Sequence, residues 1–164
     1  TRTRRQRQMC IRDRIFAKNK GHKEYLQEQF ANRSVHRIYH ALIEGRPEKN
    51  NGIIHEWLLE DKFLRVKAVN KNHPNAKEAI TYWSVEDSDE FASLLSLAIE
   101  TGRRHQIRVG LANLGHPVVG DKQHGAEGNP IGRIALHASS LELLHPETDD
   151  PVRFEATIPF GPEN

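Results

Sequence analysis

Residues 101–121 read TGRRHQIRVGLANLGHPVVGD, and this stretch decides the fold class. Ile107, Leu111 and Leu114 recur at the three- and four-residue spacing of one helix face. Gly115 stands where a C-terminal helix cap belongs. A helix is therefore expected here, in a chain whose flanks mostly alternate with the period of two that strands require. Arg103, Arg104, His105 and Arg108 cluster at the start of this helix. Cations are disfavoured there by the helix dipole, so the cluster needs a reason. It is either one solvated basic turn, or a pair in which Arg104 and Arg108 share a face opposite Ile107 and Leu111. In the second case both guanidinium groups point to one anion, a phosphate or a buried carboxylate.

Working back from this helix, the chain is a run of strands. FASLLSLAIE (91–100) and KEAITYWSVED (77–87) flank the acidic turn EDSDE. FLRVKAV (63–69) and IIHEWLLE (53–60) flank a turn at Glu60–Lys62. SVHRIYHALIEG (34–45) places Val35, Arg37, Tyr39, Ala41 and Ile43 on one face, and Gly45 and Pro47 stop it. KGHKEYLQEQFANR before it, with Leu26 and Phe30 four apart, reads as a helix to about Asn32; Ile15–Ala17 reads as a strand end. After the 101–121 stretch, KQHGAEGNPIG is a loop, and RIALHASSLELLHP (133–146) and VRFEATIP (152–159) are strands. Many strands in a meander with two helices predict an α+β domain with a mixed, largely antiparallel sheet and flanking helices.

Composition narrows the chemistry. No apolar run approaches the roughly 20 residues that span a bilayer. Cys10 is the single cysteine, so neither a disulfide framework nor a cysteine-rich zinc site is available, and a cytoplasmic location is expected. Ten histidines invite a metal reading. His36 and His40 are four apart on a strand, however, and no H-E-x-x-H or H-x-H cluster occurs, so no metal is expected. Nucleotide-binding glycine loops and a G-x-S-x-G serine elbow are also absent. The net charge of +2 is unevenly spread. Of 24 Lys+Arg and 22 Asp+Glu, six arginines and only Asp13 fall in residues 1–14. The remainder carries 18 basic and 21 acidic residues, so any polyanion must bind a local patch rather than the whole surface.

Several motifs in order resemble one family. TGRRHQIRVGLANLGHPVVGD, then GRIALHASSLELLHP (132–146), then FEATIP (154–159), look like the C-terminal motifs of the RluA-type RNA pseudouridine synthases. IFAKNKGHKEYLQEQFANRSVHRIYHALIEG (15–45) is similar to the family's middle, with its K/R-x-Y-x-A-L-V-x-G strand. The likeness runs from Ile15 to about Pro159. Gly110 stands where many members have histidine, and His124 where the tyrosine of G-D-x-x-Y-G is common.

The resemblance implies a mixed sheet around an RNA-binding cleft, and an enzyme that isomerises uridine to pseudouridine in ribosomal or transfer RNA. It implies no metal, no cofactor and no membrane, and a monomeric full-length parent. The target base must be unstacked into a pocket. On this resemblance Tyr39 is the active-site tyrosine that stacks on the base near its C5 proton; taken alone, it reads as a packed strand tyrosine. Arg108 matches the arginine that pairs with the catalytic aspartate, and Leu136 the leucine packed against the flipped base. His105, Gln106 and His137 match motif positions expected to be structural and to hydrogen-bond the cleft backbone. Arg103, Arg104, Lys122 and Arg133 are candidates for phosphate contacts.

The family's catalytic aspartate lies in H-R-L-D-x-x-T-S-G-L, directly before the segment that reads IFAKNK here. No H-R-L-D occurs in the chain. In its place stands TRTRRQRQMCIRDR (1–14), whose Asp13 lacks the motif's neighbours. MCIRDR resembles the translated end of a transposase adapter used in sequencing libraries. Residues 1–14 are therefore expected to be non-native, residues 15–160 a truncated catalytic domain, and 161–164 a tail. A basic RNA-binding arm and a transit-like peptide are the competing readings of the opening. A noncatalytic RNA-binding module of the same fold is the alternative for the whole chain.

Overall fold

The structure is a computed structural model that describes residues 15–162. Residues 1–14, with Asp13 and Cys10, lie outside the described residues. The elements are α1 (Lys20–Ala31), β1 (His36–Glu44), β2 (Asn51–Glu60), β3 (Val66–Val69), β4 (Lys77–Ser88), β5 (Ala92–Ile99), α2 (Gln106–Asn113), a 3-10 turn (Lys122–His124), β6 (Leu136–Leu144) and β7 (Pro151–Glu155). The seven strands form one sheet in the order β3-β2-β4-β5-β1-β6-β7. All six ladders among the described residues are antiparallel. None of the described helices is long and apolar enough to cross a membrane.

The alternation in β1 does what its sequence requires. Tyr39, Ala41 and Ile43 face one side and join Leu95, Leu97 and Trp83 of neighbouring strands in the main core. Helix α2 adds Ile107 and Leu111 to that core, and its Val109 packs with Leu58, Val66 and Ala79. Contact is close enough that a Cβ on Gly110 would meet Ile54 Cγ2 at 3.0 Å, which is why glycine suits this position. Helix α1 packs Leu26 against Val35 and Leu143. Its Gln29 clamps the end of β6, donating to Leu144 O (2.9 Å) and accepting from Leu144 N (2.7 Å). Thus α2 lies over the β3–β2–β4 side of the sheet and α1 over the far end of β6.

On the opposite face of β1, buried His40 links two irregularities. The β1–β6 register shifts between Ile38 and Tyr39, leaving Ser139 as an extra residue. The β4–β5 register shifts between Val85 and Asp87, leaving Glu86 as another. Nδ1 of His40 is 2.7 Å from Ser139 Oγ and its Nε2 is 3.1 Å from Glu86 Oε2. Both bulges are thereby fixed by one imidazole.

The boundaries differ from the sequence reading where side chains capture the backbone. Residues 15–17 form no strand. β3 begins at Val66 rather than Phe63, because Asp61 Oδ1 accepts from Phe63 N (2.8 Å) and Arg65 N (3.0 Å) and bends that segment into a turn. β6 begins at Leu136 rather than Arg133. Helix α2 begins at Gln106, not at the arginines, because His105 adopts a left-handed backbone (φ 54°) that a helix cannot pass through. Arg104 therefore precedes the helix and does not share a helical face with Arg108.

Candidate active site

The turn before α2 is built around Gln106. Its Oε1 accepts from Thr101 Oγ1 (2.7 Å) and from Arg103 N (3.1 Å). Its Nε2 donates to Ile80 O and Thr81 Oγ1, both at 2.9 Å. One buried amide thus ties residues 101–103 to β4, with each of its bonding capacities used inside the protein. His105, half-buried, immediately precedes Gln106 in this turn.

Two residues after Gln106, Arg108 is buried, at 3% exposure, and its partner is Asp121, at 1%. The pair is bidentate: Nε donates to Oδ2 and Nη2 to Oδ1, each at 2.7 Å. Nη2 also donates to Gln123 Oε1 at 3.2 Å. Asp121 is delivered by a tight turn. Gly120 has φ 81°, and a Cβ there would sit 2.3 Å from Arg133 O, so only glycine fits. The same turn is stitched to the sheet: Val119 N donates to Leu42 O, Ala135 N to Val119 O, and Leu42 N to Ala135 O. The helix carrying Arg108, the Asp121 turn, β1 and the entry to β6 therefore form one packed unit.

Within that unit Tyr39 pairs across β6 with Ala138, and Ala41 with Leu136. Tyr39, Ala138 and Leu136 therefore lie on the sheet face that α2 packs against. Tyr39 and Ile107 belong to the same buried cluster, and Leu136 packs on it. Tyr39 and Leu136 thus share one face and one core with Ile107, the helix neighbour of Arg108, while Arg108 itself turns to Asp121. His137, also buried, points to the other face, edge-on to Phe160.

The four phosphate candidates are placed differently. Arg104 and Lys122 are exposed. Arg103 Nε donates to Glu78 O at 3.0 Å. Arg133 donates to Ile134 O and Leu136 O and lies over the Phe160 ring, so its guanidinium is engaged in holding the entry to β6. Asp121 is the aspartate of the G-D-x-x-Y-G pattern at residues 120–125, but that pattern alone gives it no partner. It lies thirteen positions after Arg108, and nothing in the sequence pairs the two.

Two histidines flank this ion pair. His105 and His124 meet edge to face with ring centroids 5.8 Å apart. His105 Nδ1 and His124 Nε2 have no hydrogen-bond partner among the described residues. Burial, then the charges of Arg108 and Arg104, lower the pKa of His105 to about 4; burial also lowers that of His124. The folded protein holds His105 neutral, whereas the unfolded chain protonates it near pH 6.5. Stability from this residue is complete above pH 6.5 and is lost as pH falls from there towards 4. Urea midpoints should therefore decline between pH 7 and 5, and His105→Asn, which tolerates the left-handed backbone, should make that decline shallower. An unchanged slope in the variant would refute the assignment.

No group of three or more His, Cys, Asp or Glu side chains is arranged to hold a metal among the described residues.

This arrangement has relatives. The family model described as RNA pseudouridylate synthase matches residues 15–113. An uncharacterized RNA pseudouridine synthase of Bacillus subtilis, YhcT, is 35% identical over 152 residues, covering 92% of this chain and 50% of that protein. The ribosomal large subunit pseudouridine synthase D of Zymomonas mobilis is 32% identical over 143 residues, covering 82% of this chain and 45% of that protein. Among solved structures, human RNA Pseudouridylate Synthase Domain Containing 1 superposes with a TM-score of 0.75 at 27% identity, over 88% of this chain and 63% of that one. The chain spans about half the length of the curated relatives it matches. On the family match and these identities, the chain belongs to the RNA pseudouridylate synthase family.

Proposed function

We propose that this chain forms the base-stacking wall and part of the RNA-binding face of a pseudouridine synthase acting on ribosomal or transfer RNA. In that reaction the bond from C1′ to N1 of uridine breaks, the base turns, and a bond from C1′ to C5 forms. C5 gives up its proton and N1 ends with one, so no atom is gained or lost and no redox partner is needed. Tyr39 stacks on the base near C5, and Leu136 backs it. Arg108 keeps the floor of the site in place through Asp121. The observation that carries this reading is the register that sets Tyr39 and Leu136 on one face of adjoining strands, beside the helix that bears Arg108.

The ribosomal relative supports an RNA substrate of that type, and the absence of redox or metal chemistry in the proposed reaction suits a reducing cytoplasm. We further assign residues 1–14 no part in catalysis and the full-length protein a monomeric state. The H-R-L-D motif does not occur in these 164 residues, so the chain as given binds RNA without turning it over. A dedicated noncatalytic binder would show the same behaviour, but nothing in the site favours it over the family chemistry.

Binding is expected to depend on the exposed rim rather than on the arginine-rich opening. Arg104→Ala should weaken RNA binding about three- to tenfold at physiological salt, where one lost phosphate contact counts and diffuse arm contacts are screened. Deleting residues 1–14 should cost less. Filter binding of bulk RNA to the two variants decides it: abolition by the deletion alone would overturn the placement of the RNA face.

A further inference from the structure

The tip of the β2–β3 hairpin has an unusual surface for a part of the fold that buries so little. Phe63 is 66% exposed and Leu64 47%. Neither contributes to the core, yet the turn that presents them is firmly built. Asp61 N donates to Arg65 O and Leu64 N donates to Asp61 O, both at 2.9 Å. The Asp61 carboxylate accepts from Phe63 N, Arg65 N and Arg65 Nε at 2.8, 3.0 and 2.8 Å. Leu64 is held at φ 63°, a conformation that a leucine rarely adopts. Two cations lie by the Phe63 ring, Lys62 Nζ at 5.1 Å and the Arg65 guanidinium carbon at 5.3 Å from its centroid.

The hairpin continues into a groove of about 560 Å3. Leu58 and Val66 lie buried in its floor, and Lys77, Arg103 and Arg104 line it, with Glu60 the one acid. An exposed aromatic ring beside two cations, one of them also paired with Asp61, next to a groove with an apolar floor and basic walls, matches what a nucleotide offers. The base can replace the cations on the ring, and the phosphate can take the cations. A second exposed phenylalanine supplies the contrast. Phe91 is 77% exposed at the β4–β5 turn, but its neighbours are Asp87, Asp89 and Glu90, which repel a polyanion.

We propose that the β2–β3 hairpin tip is a second RNA contact, in which Phe63 stacks on an unpaired base flanking the modified segment and Lys62, Arg65 and Arg104 hold the adjoining phosphates. The inference rests on the reading of the chain as an RNA-modifying protein. It adds a contact outside the Tyr39 site, at the sheet edge, with β2, β4 and β5 between β3 and the strand that bears Tyr39.

The test uses the 164-residue chain and fluorescein-labelled RNA followed by anisotropy. The probes are a ten-nucleotide oligouridylate, the same ribose-phosphate backbone without bases, and a short RNA duplex. Phe63→Ala should weaken oligouridylate binding by about five- to 150-fold, the range for loss of one stacked base. It should leave binding of the abasic strand and of the duplex, and the melting temperature, as they are. Phe91→Ala should change none of these. In Phe63→Trp the new indole should be quenched by oligouridylate and not by the abasic strand. Oligouridylate binding that survives Phe63→Ala unchanged would overturn the hairpin contact and leave the RNA-modifying reading intact. Equal losses for oligouridylate and abasic strand would overturn stacking. A chain that binds none of the three probes would overturn both readings.

Discussion

RNA labelled with tritium at C5 of uridine is expected to release none above background when incubated with this chain, even at concentrations where the two are bound. Tyr39 can stack and Arg108 can brace the site, but neither supplies the carboxylate on which the family's chemistry depends. Removing a reacting group removes the step itself, with losses of about 10⁴-fold or more, whereas losing a binding contact costs only part of the affinity. Replacing residues 1–14 with a segment carrying H-R-L-D-x-x-T-S-G-L is expected to restore release, and changing the aspartate of that segment to asparagine should abolish it again. Asp13→Asn in the chain as given should have no effect. Turnover by the unaltered chain that disappears with Asp13→Asn would show that the opening residues act as the catalytic segment, and would refute our reading of them.

The second large effect is on stability. Arg108 and Asp121 are a buried, bidentate pair, and removing one partner strands the other charge away from water. Such breaks cost about 3–5 kcal/mol. Against a total of about 5–15 kcal/mol for a domain, that is a large fraction. Asp121→Ala should therefore lower the melting temperature by about 10 °C. The double variant Arg108→Met with Asp121→Leu should recover much of the loss, because it removes both charges of the pair together. Exposed Arg104→Ala should change stability by less than about 0.5 kcal/mol. Calorimetric melting of the four proteins distinguishes these cases. If Asp121→Ala melts like the parent, Asp121 is not the structural partner of Arg108.

Much of this fold can be read from the chain. The alternation of Tyr39, Ala41 and Ile43, and the Ile107–Leu111 spacing, follow from the two backbone periods, and both elements lie where those periods place them. What escapes the pattern depends on single local events. The left-handed backbone at His105 has no glycine to announce it, so spacing alone starts the helix among the arginines and sets Arg104 beside Arg108. The Asp61 turn shortened β3 through a side chain that local patterning reads only as polar. At the site, Arg108 and Asp121 both fall in motifs, but the sequence does not pair them. Their meeting depends on a turn, and on hydrogen bonds among residues 42, 119 and 135, that no periodicity encodes.

The strand order has a kinetic consequence. β1 lies between β5 and β6, and its bond from His40 to Ser139 joins residues 99 positions apart. From β2 to β5 the strands do not form a simple meander, because β4 pairs with β2 and leaves β3 at the edge, but their ladders join segments near in sequence and can form early. The β1–β6 ladder must wait until a long loop has closed, at a cost in chain entropy that nearby contacts do not repay in advance. Tyr39 and Leu136 sit on opposite sides of that late ladder. Substitutions that slow its closure, such as a change at Gly120 in the turn stitched to β1, would prolong a state in which most of the sheet is paired and the two walls of the site have not yet met.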